Sequence, residues 1–142
     1  MTMAVNTMAL NASDWSHEAA FESTPLSAGH ARRFVVGHLV EHRLSHLVDA
    51  VRIVASELAT NALVHAQTPF IVTLAAVDGN LLLTVRDGSP GLPTRGPNHN
   101  MDTSGRGLGI VDSLSLDWGI HEAAAGSKAV WASFTLSAQQ AV

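Results

Sequence analysis

The sequence predicts an α/β (α+β) two-layer sandwich: a mixed, mostly antiparallel sheet covered on one face by helices. Three observations predict it. Two long apolar patterns with three- and four-residue spacing come early, over 28–42 and 47–65. An Asp-Gly pair then separates two apolar runs of strand length, and two more such runs lie near the end of the chain. Helical patterns on one side and hairpin patterns on the other favour two packed layers.

Each element has its own grounds. Trp15 to Phe21 reads as a short edge strand with weak alternation. In the first helix Ala31, Phe34, Val35, His38 and Leu39 form an amphipathic stripe, with a break around Arg43 to Ser45. In the second, Leu47, Val51, Val54, Leu58 and Ala62 form the buried stripe, and Asp49 suits the positive end of the helix. Pro69 separates this helix from the strands Phe70 to Val77 and Leu81 to Asp87, joined by Asp78-Gly-Asn80 as an antiparallel hairpin. Ser89 to Thr103 has no periodicity and holds Pro90, Pro93 and Pro97, the composition of a lid or an excursion. A short helix from Leu108 to Leu114 and strands at Leu116–His121 and Ala129–Leu136 complete the pattern.

With 142 residues, 46% of them hydrophobic, the chain has enough material for one core. Residues 1–13 and 137–142 read as flexible tails flanking one domain over 14–136. The absence of cysteine removes disulfides, thiolate metal sites and cysteine nucleophiles. A net charge of −4 with 8 Lys plus Arg, a single lysine among them, is a poor basis for holding a nucleic-acid backbone. No apolar run approaches the roughly 20 residues of a membrane span, and the first ten residues lack the basic region of a secretory signal. A cytoplasmic protein with no membrane or nucleic-acid partner is expected.

Three polar or glycine-rich clusters carry the chemistry. Glu57 and Asn61 stand four residues apart on one face of the second helix, with His65 a further turn along. A carboxylate there can deprotonate a hydroxyl, and an amide oxygen can ligate a hard cation such as magnesium. Asp87 ends a strand just before Gly88-Ser-Pro-Gly91, where a carboxylate can accept a hydrogen bond from an exocyclic amine. Gly105-Arg-Gly-Leu-Gly109 enters a helix, so backbone N–H groups and Arg106 can meet phosphate oxygens. Taken singly, these clusters also read as a solvated helix face, a common turn and an ordinary glycine-rich loop. No Gly-Lys-Ser/Thr follows the glycines, which excludes a Walker loop.

In order, the three clusters resemble the nucleotide site of the GHKL superfamily of ATPases and kinases. Glu57-xxx-Asn61 matches its N box, Asp87-Gly-Ser-Pro-Gly91 its Asp-x-Gly-x-Gly box, and Gly105-x-Gly-x-Gly109 the glycine box that ends the ATP lid. The resemblance spans roughly Leu26 to Phe134 and is closest to the small anti-sigma factor serine/threonine kinases and related actinobacterial regulators. It implies the Bergerat ATP-binding fold, with ATP and Mg²⁺ bound and a serine or threonine phosphorylated on an anti-sigma factor antagonist. Glu57 would then be the catalytic base, Asn61 the magnesium ligand and Asp87 the adenine partner. Gly91, Gly105, Arg106, Gly107, Leu108 and Gly109 would complete the nucleotide pocket, under a lid at about 89–106 that orders on binding. The implied partners are a STAS-type antagonist, a sigma factor and a second copy in a homodimer. The alternative is a non-catalytic interaction protein of the same fold that binds ATP weakly or not at all. Ser89 stands where the family's box has glycine, and Ala129 where it often has a threonine beside the adenine aspartate. The missing hydroxyl weakens adenine recognition by ~1 kcal/mol.

The remaining residues read as structural. His38-xxx-His42-xxx-His46 has helical metal-ligand spacing, but a break at Arg43 spoils its alignment, and these side chains read as satisfied or solvated histidines. Trp118 and Trp131 read as cross-strand or core packing, and Trp15 as an edge cover or dimer contact.

Overall fold

The structure, a computed structural model, describes residues 13–88, 105–122 and 126–137, with the backbone alone for 105–107. In chain order it comprises β1 (Trp15–Phe21), α1 (Ser27–Glu41), a 3₁₀ turn (Ser45–Leu47), α2 (Val48–Asn61) and a π turn (Ala62–Ala66). There follow β2 (Phe70–Val77), β3 (Asn80–Asp87), α3 (Gly105–Leu114), β4 (Asp117–Glu122) and β5 (Lys128–Thr135). The strands form one sheet in the order β1-β2-β3-β5-β4, every pairing antiparallel. The helices cover one face of it, as the periodicities imply.

The hairpin follows from its turn residues. Asp78 and Gly79 both take positive φ, 49° and 82°, the type I′ geometry whose twist matches the flanking strands. That turn sets Val77 opposite Asn80 and Phe70 opposite Asp87. Period-two alternation then sends Leu81, Leu83, Val85 and Asp87 to the helix side, together with Val130, Ala132 and Phe134 of β5. Ala31, Val35 and Leu39 of α1, Val51, Val54 and Leu58 of α2 and Ala62 of the π turn close over them. Each large side chain fully buried there contributes roughly 1.5–3 kcal/mol. Trp118 packs against this core, whereas Trp131 lies on the opposite face across Gly119, where an added Cβ would stand 2.9 Å from its ring.

Two helix boundaries differ from the sequence expectation. The second helix does not run unbroken to His65. After Asn61 the ladder switches to a five-residue step, with the Gln67 N–H donating to the Ala62 carbonyl at 3.1 Å, and Gln67 leaves in a left-handed conformation. The third helix starts at Gly105, so it contains the glycine cluster instead of following it. Glycine costs ~1 kcal/mol in a helix interior. Here three glycines fall in the first half of α3, and packing of Leu108 and the fully buried Val111 offsets them. The lid expected at about 89–106 lies largely outside the described residues, as do Gly91 and both tails beyond Ser13 and Ser137. Among the described residues no helix is long and apolar enough to cross a membrane.

The break expected near Arg43 is a Schellman motif. Leu44 N–H donates to the Leu39 carbonyl at 2.8 Å and Arg43 N–H to Val40 at 3.0 Å. This places Arg43 at the left-handed position, φ 61°, which glycine adopts without cost. Arg43→Gly should therefore stabilise the chain by about 0.5 kcal/mol, the relief of left-handed strain less the added unfolded-state entropy. Equilibrium urea unfolding measures it, and a loss of stability would contradict the assignment of strain.

Candidate functional site

The site is built where α2 delivers the chain to the sheet. Only Gln67, Thr68 and Pro69 separate the π turn from Phe70, and Phe70 is the cross-strand partner of Asp87. Such a short connection obliges the end of α2 to lie over the end of β3, and both α2 and the π turn pack against that strand. Thr68 Oγ1 secures the junction by accepting the Gly88 N–H at 2.9 Å and donating to the Pro69 carbonyl at 3.1 Å.

Asp87 is buried on the helix side of the sheet, with only 4% of its surface exposed. Beside it is the single lysine, to which the sequence motifs give no site role. Lys128 opens β5 directly opposite Asp87 in the strand register, is 6% exposed, and holds its Nζ 3.7 Å from Asp87 Oδ2. The separation exceeds a hydrogen bond, so the attraction is Coulombic in a setting of low polarity. One sequence signal could have found the pair: an in-register count from the Asp-Gly turn and the final strand places an acid and a base on the same face.

Glu57 and Asn61 are half-buried on α2, one helical turn apart, at the margin of the stripe formed by Val54, Leu58 and Ala62. His65 follows on the π turn and is close enough to Asp87 and Lys128 to feel both charges. Partial desolvation lowers its pKa below the ordinary 6.5, the ammonium of Lys128 lowers it further, and the Asp87 carboxylate opposes the shift. This ties the end of α2 electrostatically to the Asp87–Lys128 pair. On the other side α3 packs against α2, bringing the backbone of Gly105, Gly107 and Gly109 to the same helical layer. A Cβ on Gly109 would meet no atom within 4 Å, so open space adjoins this part of α3. Leu108 is half-buried against the core, and the Arg106 side chain lies outside the described atoms. Ala129 is buried in β5 opposite Arg86.

The family model described as the histidine kinase-like ATPase domain matches residues 21–134. The chain belongs to this family. It is a GHKL-type ATP-binding domain, an α/β sandwich consistent with the Bergerat fold. Among solved structures it is similar to the RsbU and RsbW domains of Rv1364c from Mycobacterium tuberculosis, with a TM-score of 0.66 at 20% identity. That match covers 85% of this chain and 32% of the other, a likeness of fold to about a third of a longer protein. No curated protein matches the chain.

Replacing Lys128 by methionine would leave a buried carboxylate without its cation, a loss of about 3–5 kcal/mol. The same change should raise the His65 pKa, because it removes a repelling charge and leaves the attracting one; the imidazole proton shift followed by NMR against pH reads it. An unmoved His65 titration would separate it from the pair. Since the folded His65 binds its proton less readily than the unfolded residue, its share of stability is complete above pH 6.5 and declines as pH falls below that value.

Proposed function

We propose that this ATP-binding domain is a Mg-ATP-dependent serine/threonine protein kinase that phosphorylates an anti-sigma factor antagonist of STAS type and acts as a partner-switching regulator of a sigma factor. The observation that carries the proposal is the packing of α2, which bears Glu57 and Asn61, against β3, the strand that ends in the buried Asp87, with α3 packed against α2 in turn. The likeness to the solved RsbU and RsbW domains supports the choice of partner class, and the −4 charge suits a protein partner better than nucleic acid. We take 14–136 as the catalytic unit, under a lid at 89–106, working in the cytoplasm as a homodimer.

The residues present fit the nucleotide. The Asp87 carboxylate offers an acceptor to the exocyclic amine of adenine, where the keto group of guanine would present a second acceptor and be rejected. Backbone N–H groups in the first turn of α3 have no intrahelical acceptor, so they would be open to phosphate oxygens. Asn61 would offer an amide oxygen to hold magnesium, which would supply neutralisation of the phosphate charge. Glu57 takes the proton of the incoming serine or threonine hydroxyl. The hydroxyl oxygen then bonds to the γ-phosphorus as the bond from that phosphorus to the β-phosphate bridging oxygen breaks, releasing ADP.

One observation favours the second reading, a non-catalytic interaction protein. Lys128 already faces Asp87, so an adenine amine must share that carboxylate with a buried ammonium. Labelled ATP, magnesium and a candidate antagonist, followed by phosphoprotein detection, separate the two. Under the kinase reading, Glu57→Gln lowers phosphoryl transfer by about 10²–10⁴-fold while nucleotide affinity stays nearly unchanged. Asp87→Asn does the reverse to binding, weakening ATP by roughly 10–100-fold, the worth of one hydrogen bond to a charged group. Equal loss of binding and transfer in Glu57→Gln would remove that residue from the chemistry.

A further inference from the structure

A second cluster of ligating side chains lies away from this site, on the far edge of the sheet. Alternation along β1 turns Trp15 and His17 toward the helices, and His17 meets the end of α1 there. Neighbouring residues in a helix point in different directions, but α1 ends at Glu41. His42 has left helical geometry, with φ −95° and ψ 14°. The departure lets both residues serve one point. His17 Nε2 and His42 Nε2 face each other at 2.9 Å, and the ligand atoms of His17, Glu41 and His42 all lie within 4.8 Å of one another.

We propose that His17, Glu41 and His42 form a zinc site that fastens the edge strand β1 to the end of α1, with water in the fourth position. Two imidazoles and a carboxylate with one open place are a donor set that zinc takes readily. Without a cation, the two nitrogens share a single proton, one ring donating and the other accepting. With zinc, both lone pairs point at the ion. At tetrahedral angles and usual zinc–nitrogen lengths the two nitrogens stand about 3.3 Å apart, so the rings open by only about 0.4 Å.

The surroundings already hold the ligands in place. Trp15 stacks on His42 with centroids 3.7 Å apart and planes within 8°. His38 stacks on His17 at 3.7 Å and 9°, and its Nδ1 lies 2.8 Å from Glu41 Oε1, the kind of supporting hydrogen bond that orients a ligating carboxylate. His46, the third member of the regular helical spacing, is directed elsewhere, its Nε2 at 2.8 Å from the Leu136 carbonyl. The strand supplies the ligand that the helix spacing lacks. His17 lies opposite Leu74, four residues along β1 from the Phe21 that is level with Phe70 and Asp87, and two strands away from the nucleotide site. Imidazole ligation also distinguishes it from the oxygen ligands that magnesium requires.

The test is zinc titration of the untagged, chelator-treated full chain without nucleotide, by calorimetry and by melting temperature. One zinc per chain should bind and raise the melting temperature in step with zinc concentration. His17→Asn and His42→Asn should each weaken binding at least about 100-fold and Glu41→Gln at least about tenfold, while His121→Asn on β4 leaves it intact. Glu41 is exposed at a helix end, so its variant reports on ligation even where a β1 substitution disturbs folding. Cobalt in place of zinc should give the intense visible bands of a four- or five-coordinate ion. A chain that binds no zinc, His17 and His42 variants that bind as tightly as the parent, an unaffected Glu41→Gln, or a pale six-coordinate cobalt spectrum would each overturn the site.

Discussion

Two opposite charges are buried side by side where β3 ends and β5 begins, and the arrangement of the site depends on them. Taking a carboxylate and an ammonium out of water costs several kcal/mol for each ion, and their attraction at 3.7 Å repays this only in part. A hydrophobic pair of similar volume would serve stability equally well. The pair makes sense as a fixed local charge, a carboxylate held at the helix-facing end of a rigid strand. The adjacent hairpin holds it in register, and the end of α2 is obliged to lie above it because Phe70, separated from the π turn by only three residues, is its strand partner.

The same constraint explains the π turn. A regular helix continued to Ala66 would keep turning by the α-helical step. Widening the last turn lets the chain drop to Phe70 while leaving Asn61 as the final α-helical residue. Such irregularities are common where a helix has a task besides packing. The result divides labour across the sandwich. The buried stripe of α2 stabilises the domain, its half-buried margin carries Glu57 and Asn61, and α3 packs against it.

Much of this was legible in the sequence because the signals are local. Asp78-Gly79 specifies its turn, the three- and four-residue spacings specify α1 and α2, and alternation specifies the inner face of β3. What was not legible needs two elements at once. The position of β5 between β3 and β4 follows from tertiary pairing, and with it the meeting of Lys128 and Asp87. The glycine cluster reads as a loop that feeds a helix from Leu108, yet α3 begins at Gly105. The histidines show the same limit. Helical spacing drew attention to His38, His42 and His46, whereas the structure pairs His42 with His17, 25 residues earlier on a strand.

The proposed function requires that the acid–amide face of α2, the end of β3 and the glycine turn of α3 border one nucleotide pocket. Amide NMR spectra recorded during a Mg-ATP titration test it most directly. Asn61, Gly88 and Gly107 should shift together along one saturating curve, with a single dissociation constant and with the His17 region left in place. Saturating Mg-ATP that moves none of these amides, or moves them on separate curves, would contradict the account.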